Sequence, residues 1–90
     1  MAIGIVFDGP GVTQAQYEQA LAEVVPGGVL PPGMLYHAAG PTDQGWRVME
    51  VWNSQEDAQR FFDETLAQAL QRAGITVQPQ FSQVTTILHA

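Results

Sequence analysis

Apolar positions cluster in short stretches whose spacing alternates between strand-like and helix-like. Ala2 to Phe7 is apolar and rich in β-branched residues, and Asp8-Gly9-Pro10-Gly11 closes it with a dense turn signal, which predicts a first strand. Thr13 follows as a helix N-cap, with Gln16 three residues on completing a capping box. Tyr17, Ala20, Leu21, Val24 and Val25 then recur at helical spacing until Pro26-Gly27-Gly28 stops the helix. Leu30-Pro31-Pro32-Gly33 fits neither a helix nor a central strand and reads as a rigid connector.

Met34 to Ala39 and Trp46 to Asn53 read as second and third strands, and the polar loop Gly40 to Gly45 between them is short enough for a hairpin. Ser54 caps the next helix, Glu56 and Asp57 suit the positive end of its dipole, and Asp57 can close a reciprocal cap. Ala58, Phe61, Phe62, Leu66, Ala69, Leu70 and Ala73 form one apolar stripe down this helix, with Gly74 as the residue beyond its end. Phe81 to Leu88 reads as a last strand, with Pro79 at its start or at a break before it. The order is β-α-β-β-α-β over residues 1–90 as one domain. With crossovers right-handed, it predicts an α+β, ferredoxin-like fold: a four-stranded antiparallel sheet with both helices on one face.

Helices on one side leave the other sheet face open, yet the strands lack a clean apolar-polar alternation. Met49 and Val51 alternate with Trp46, Val48, Glu50 and Trp52, so both parities of the third strand are largely apolar. We place Met34, Tyr36, Ala38, Met49 and Val51 in the core, which turns the two tryptophans to the open face. Such a patch is larger than a small solitary domain usually shows, and it predicts a homodimer through the sheet face.

Charge and composition narrow the function. Lys and Arg total 3 against 9 Asp and Glu, for a net charge of −6. The three cations are the separated Arg47, Arg60 and Arg72, so no basic patch exists for nucleic acid or for an anionic membrane surface. No cysteine and no lysine are present, which excludes thiolate ligands, disulfides, Schiff-base chemistry and a P-loop. No basic leader and no apolar run of roughly 18 residues occurs, and the expectation is a cytoplasmic protein. Nothing in the chain points to NAD, ATP or flavin as a cofactor.

The stretches Pro32-Gly33-Met34-Leu35-Tyr36-His37-Ala38-Ala39-Gly40-Pro41 and Gly45-Trp46-Arg47-Val48-Met49-Glu50-Val51-Trp52-Asn53-Ser54 carry a resemblance. On them the chain resembles the dimeric α+β barrel superfamily, and within it the antibiotic-biosynthesis-monooxygenase-like branch of small stand-alone members. The resemblance implies a dimer of facing sheets, a small-molecule cavity, and monooxygenase-like chemistry without a cofactor on an aromatic or polyketide-like compound. Trp46, Trp52, Tyr36 and Arg47 match the tryptophan, tyrosine and arginine types that surround substrates in oxygenating members. The first strand lacks their asparagine, and the second helix lacks the histidine with which haem-degrading relatives hold iron.

His37 is the leading chemical candidate. A register that sets it beside Val48 and Glu50 puts His37, Glu50 and Trp52 on one face, whereas a one-residue slip substitutes Tyr36. A His-Glu pair among aromatic walls can move protons near neutral pH. It can equally be a buried hydrogen-bonded pair that holds a dimer together. Glu50, inside a strand, needs His37, Arg47, a partner-chain donor or solvent to be buried at all. Trp46 and Trp52 suit stacking on a planar ligand or packing at an interface. A metal site could draw only on His37, Glu50, Asp8 and His89, whose spacing matches no ligand motif, and none is expected. The alternative to an enzyme is a dimeric module that binds a ligand or stabilises an assembly without turnover.

Overall fold

Ile3, Ile5 and Phe7 point to one side of the first strand and are buried, while Gly4, Val6 and Asp8 between them are only partly covered. That single alternation fixes which side of the sheet is the core. In the computed structural model, which describes residues 1–88 and 90, β1 (Ile3–Pro10) is central, flanked by β3 (Gly45–Trp52) and β4 (Gln78–Gln83), and β2 (Met34–Thr42) forms the far edge. All pairings are antiparallel, in the order β2-β3-β1-β4. This is the expected ferredoxin-like topology. His89, one of the candidate metal ligands, lies outside the described residues.

The helices pack on the side of Ile3, Ile5 and Phe7. α1 (Gln14–Val24) starts at the predicted Thr13 cap: Thr13 Oγ1 accepts from the Gln16 backbone N–H at 3.2 Å, and Gln16 Oε1 accepts from the Thr13 N–H at 3.0 Å. Gly27, with φ 70°, supplies the left-handed backbone that ends this segment. α2 (Gln55–Phe61) starts at Ser54, whose Oγ takes the Asp57 N–H at 3.1 Å, while the Asp57 carboxylate turns to Arg60 at 3.2 Å. The second helical region, expected as one regular helix, instead holds a π-helical turn at Phe62–Leu66 between α2 and α3 (Ala67–Ala73). Its i to i+5 bonding frame brings Phe61 and Leu66, five residues apart, to the same cavity wall. Arg72 on α3 grips Glu23 on α1 through two nitrogens at 3.0 to 3.1 Å, which holds the Glu23 carboxyl below its usual pKa.

Two expectations are corrected. The last strand ends at Gln83, well short of Leu88, because β1 gives it partners only from Asp8 back to Ile3. Pro79 is tolerated inside it because β4 is an edge. More consequentially, the faces of the hairpin are exchanged. His37 does pair with Glu50, but both lie on the helix side together with Trp46, Val48 and Trp52. A β-bulge between Met34 and Tyr36 is the cause. Met34 opposes Trp52 and is buried, Leu35 is the extra residue, and Tyr36 then opposes Val51 on the other face. Strict counting by twos from Met34 therefore fails. Val6, Met49 and Ala38 are register partners across three strands of the open face, with Val51 and Tyr36 beside them.

Candidate functional site

Two carboxylate oxygens organise the polar part of this core. Glu50 is 6% exposed. Its Oε1 accepts the Trp52 indole N–H at 2.9 Å, from the next residue on the same face of β3. Its Oε2 lies 3.0 Å from His37 Nδ1, directly across the β2-β3 ladder. A carboxylate only accepts, so this contact assigns the hydrogen of a neutral imidazole to Nδ1 and leaves Nε2 as an acceptor. That lone pair meets the Tyr17 hydroxyl at 2.6 Å, with the phenol donating. Burial and the nearby negative charge of Glu50 both push the Tyr17 pKa above 10.0, its ordinary value, and keep it a proton donor.

A chain therefore runs from α1 through β2 to β3: Tyr17 to His37 to Glu50, with Trp52 bracing its far end. The order of roles is that of a nucleophile-base-orienter triad, with a phenol at the head. The Tyr17 ring is stacked on His37 (centroids 6.0 Å, 17° between planes) and lies against Trp46 (5.2 Å, 31°).

The chain borders a cavity of about 60 Å³ between the sheet and the helices. That is room for about two water molecules at liquid packing. Tyr17, His37, Trp46 and Glu50 form its polar side, and Phe7, Leu21, Phe61, Leu66 and Leu70 its apolar walls. A second, larger hollow of about 180 Å³ lies towards β4, between Ile5, Trp52, Phe62 and Phe81, and Glu50 borders both.

Of the residues singled out in the sequence, His37, Glu50 and Trp46 converge on the first cavity. Trp52 reaches it only through its hydrogen bond to Glu50 and lines the second. Tyr36 and Arg47 are carried to the open face, away from both hollows. Arg47 there pairs with Asp8 across β3 and β1 at 2.7 Å, which raises its already high pKa. Tyr17 was read only as part of an apolar helical stripe. The signal for its role is its hydroxyl, since a tyrosine on a core-facing stripe must find a partner for its polar tip. Among the described residues no cluster of three or more His, Asp and Glu is placed to hold a metal, and no helix is long and apolar enough to cross a membrane.

Comparison with known proteins gives a likeness of fold. No family model matches the sequence, and no curated protein matches it. Among solved structures, an asparagine-to-alanine variant of SnoaB, a cofactor-independent oxygenase from Streptomyces nogalater, superposes with a TM-score of 0.72 at 14% identity, covering 97% of this chain and 96% of that one. A Deinococcus radiodurans protein assigned as an antibiotic biosynthesis monooxygenase gives 0.69 at 14% identity, covering 100% and 98%. A Chloroflexus aurantiacus protein with the same assignment gives 0.68 at 18% identity, again covering 100% and 98%. The chain has the fold of the antibiotic-biosynthesis-monooxygenase-like structures from end to end.

Proposed function

We propose, on the premise of that shared fold, that this chain binds a small cyclic compound in the cavity behind its sheet and oxygenates it without a cofactor. The observation that carries the reading is the half-buried chain Tyr17-His37-Glu50 at the polar side of an otherwise apolar hollow. A single-ring carbon acid, such as a cyclic β-diketone or a related phenol, suits its size better than the polycyclic compounds the resemblance implies. Tyr17 passes its proton to His37 Nε2 and takes one from the substrate, so that the net proton rests on an imidazolium facing Glu50. The substrate carbanion then gives one electron to dioxygen, and the two radicals combine into a carbon-oxygen bond. Return of the proton makes a hydroperoxide, which loses water to leave a carbonyl. Oxygen uptake with a one-ring β-diketone tests this directly. The His37→Gln variant should fall by about 10² to 10⁴, with its circular dichroism unchanged. No uptake by the wild type, or equal uptake by the variant, would overturn the proposal.

The open face supports a homodimer, on different grounds from those first expected. Both tryptophans are covered by helices, yet Val6, Met49, Val51, Tyr36 and Ala38 form a continuous apolar band there, with Met49 49% and Tyr36 40% exposed. A second copy of the same face is its natural cover. Sedimentation at micromolar concentration should report twice 9.8 kDa, and Met49→Glu should shift the chain towards monomer. A monomeric wild type would sink the idea.

A further inference from the structure

The two hollows behind the sheet differ in size and in what encloses them. Every residue on the wall of the first, about 60 Å³, is buried or half-buried. The second, about 180 Å³, has the exposed residues Gln59, Pro79 and Phe81 at its rim and opens to solvent between α2 and β4. An apolar cavity of roughly 150 Å³ takes up benzene, so this hollow has room for one six-membered ring. Phe7, Glu50, Phe61 and Leu66 border both hollows, which therefore adjoin.

Phe81 gives a separate sign that something belongs there. It pairs with Ile5 across β1 and β4 and so points to the helix side. Ile5 is 4% exposed, yet Phe81 is 56% exposed. An aromatic side chain on the core side of a sheet, open over half its surface, gains from contact with another ring. Polar ligand atoms gain nothing inside. Glu50 only accepts and has both oxygens engaged, the Trp52 N–H is already given to Glu50, and the Gln59 amide nitrogen turns to Asp63 at 3.0 Å.

We infer that the second hollow is a binding pocket for one apolar six-membered ring of the ligand. The substrates it selects are small carbon acids in which a hydrocarbon ring carries the acidic group. The ring lies against Phe81, Phe62 and Ile5, and only the reacting end enters the first cavity towards Tyr17. This assignment of substrate class rests on the function proposed above; the ring pocket itself does not.

The test uses the full chain with ¹³C-labelled methyl groups and two probes of one shape, benzene and pyrazine. Pyrazine carries acceptors at opposite ends, so no orientation spares it the loss of water. Benzene should show nuclear Overhauser contacts to the Ile5 and Ala58 methyls, and pyrazine should bind at least about tenfold more weakly. Phe81→Ala, at an exposed position, should leave the circular dichroism unchanged and weaken benzene binding at least about threefold. The proposal is overturned if benzene fails to bind, if its contacts fall instead on Leu21 and Leu70 of the first cavity, or if pyrazine binds equally well. It is also overturned if Phe81→Ala binds benzene like the wild type, or if Phe81 in the free protein already contacts Ile87, Leu88 or a second copy. Absent oxygen uptake would remove the oxygenase reading and leave these contacts untouched.

Discussion

Glu50→Ala should lower the unfolding free energy by about 3 to 5 kcal/mol, the largest loss expected from any single polar residue here. The substitution removes one side chain and strands two donors, His37 Nδ1–H and Trp52 Nε1–H, in a site that water reaches poorly. Each unmet donor costs about 1 to 3 kcal/mol, and the emptied space adds to it. Small domains are stable by about 5 to 15 kcal/mol, so the variant would sit near its limit, with a melting temperature at least about 12 °C lower. Glu50→Gln keeps one acceptor oxygen for one of the two donors and should lose roughly half as much. Urea denaturation with an unchanged slope separates a true stability change from a change in the denatured state. Wild-type stability in Glu50→Ala would mean that these hydrogen bonds do not form.

Trp52→Ala comes second and acts through packing. The indole is 1% exposed, touches Phe61 with ring centroids 5.4 Å apart, and sits in the cluster with Ile3, Ile5, Phe7, Met34 and Ala58. Truncation of a buried aromatic costs about 3 to 5 kcal/mol. Trp52→Phe divides the two contributions, because it keeps most of the contact and drops only the N–H to Glu50; about 1 to 2 kcal/mol should remain. The two sites touch, so the double variant should be less destabilised than the sum of the singles. Strict additivity in chemical denaturation would show that the Trp52-Glu50 bond contributes nothing.

Most of the architecture was legible in the residues because caps, turns and apolar spacing act locally. Thr13 with Gln16, Ser54, Gly27 and Gly74 mark helix ends by chemistry that needs no tertiary contact, and each stands where it was expected. The pairing of His37 with Glu50 was one of two hairpin registers that the residues left open, and the ladder adopts it. The identity of the inner face is not legible there. The apolar count along Met34, Tyr36 and Ala38 pointed the wrong way, since a bulge at Leu35 leaves no trace in a pattern of period two. The deciding signal lay in β1, where Ile3, Ile5 and Phe7 alternate with Gly4, Val6 and Asp8. Pairing that strand with β3 sends Trp52, Glu50 and Val48 inward. Tyr17 eluded the reading for a related reason: helical periodicity says which way a residue points but not which strand lies beneath it. The π-helical turn has no local signature at all, because Phe62 to Leu66 is an ordinary helix-compatible run.

That turn bears on how a pocket keeps its lining when the chain length varies. A chain one residue shorter between Phe61 and Leu66 could wind regularly with little rotation downstream, because four α-helical residues turn about 400°, close to what the five residues of the wider turn cover. Leu66 and Leu70 would keep facing the hollow; it is the present length, wound regularly, that would carry them about 100° away from it. The roof of this chamber thus keeps its facing because the wide turn takes up one residue of surplus length.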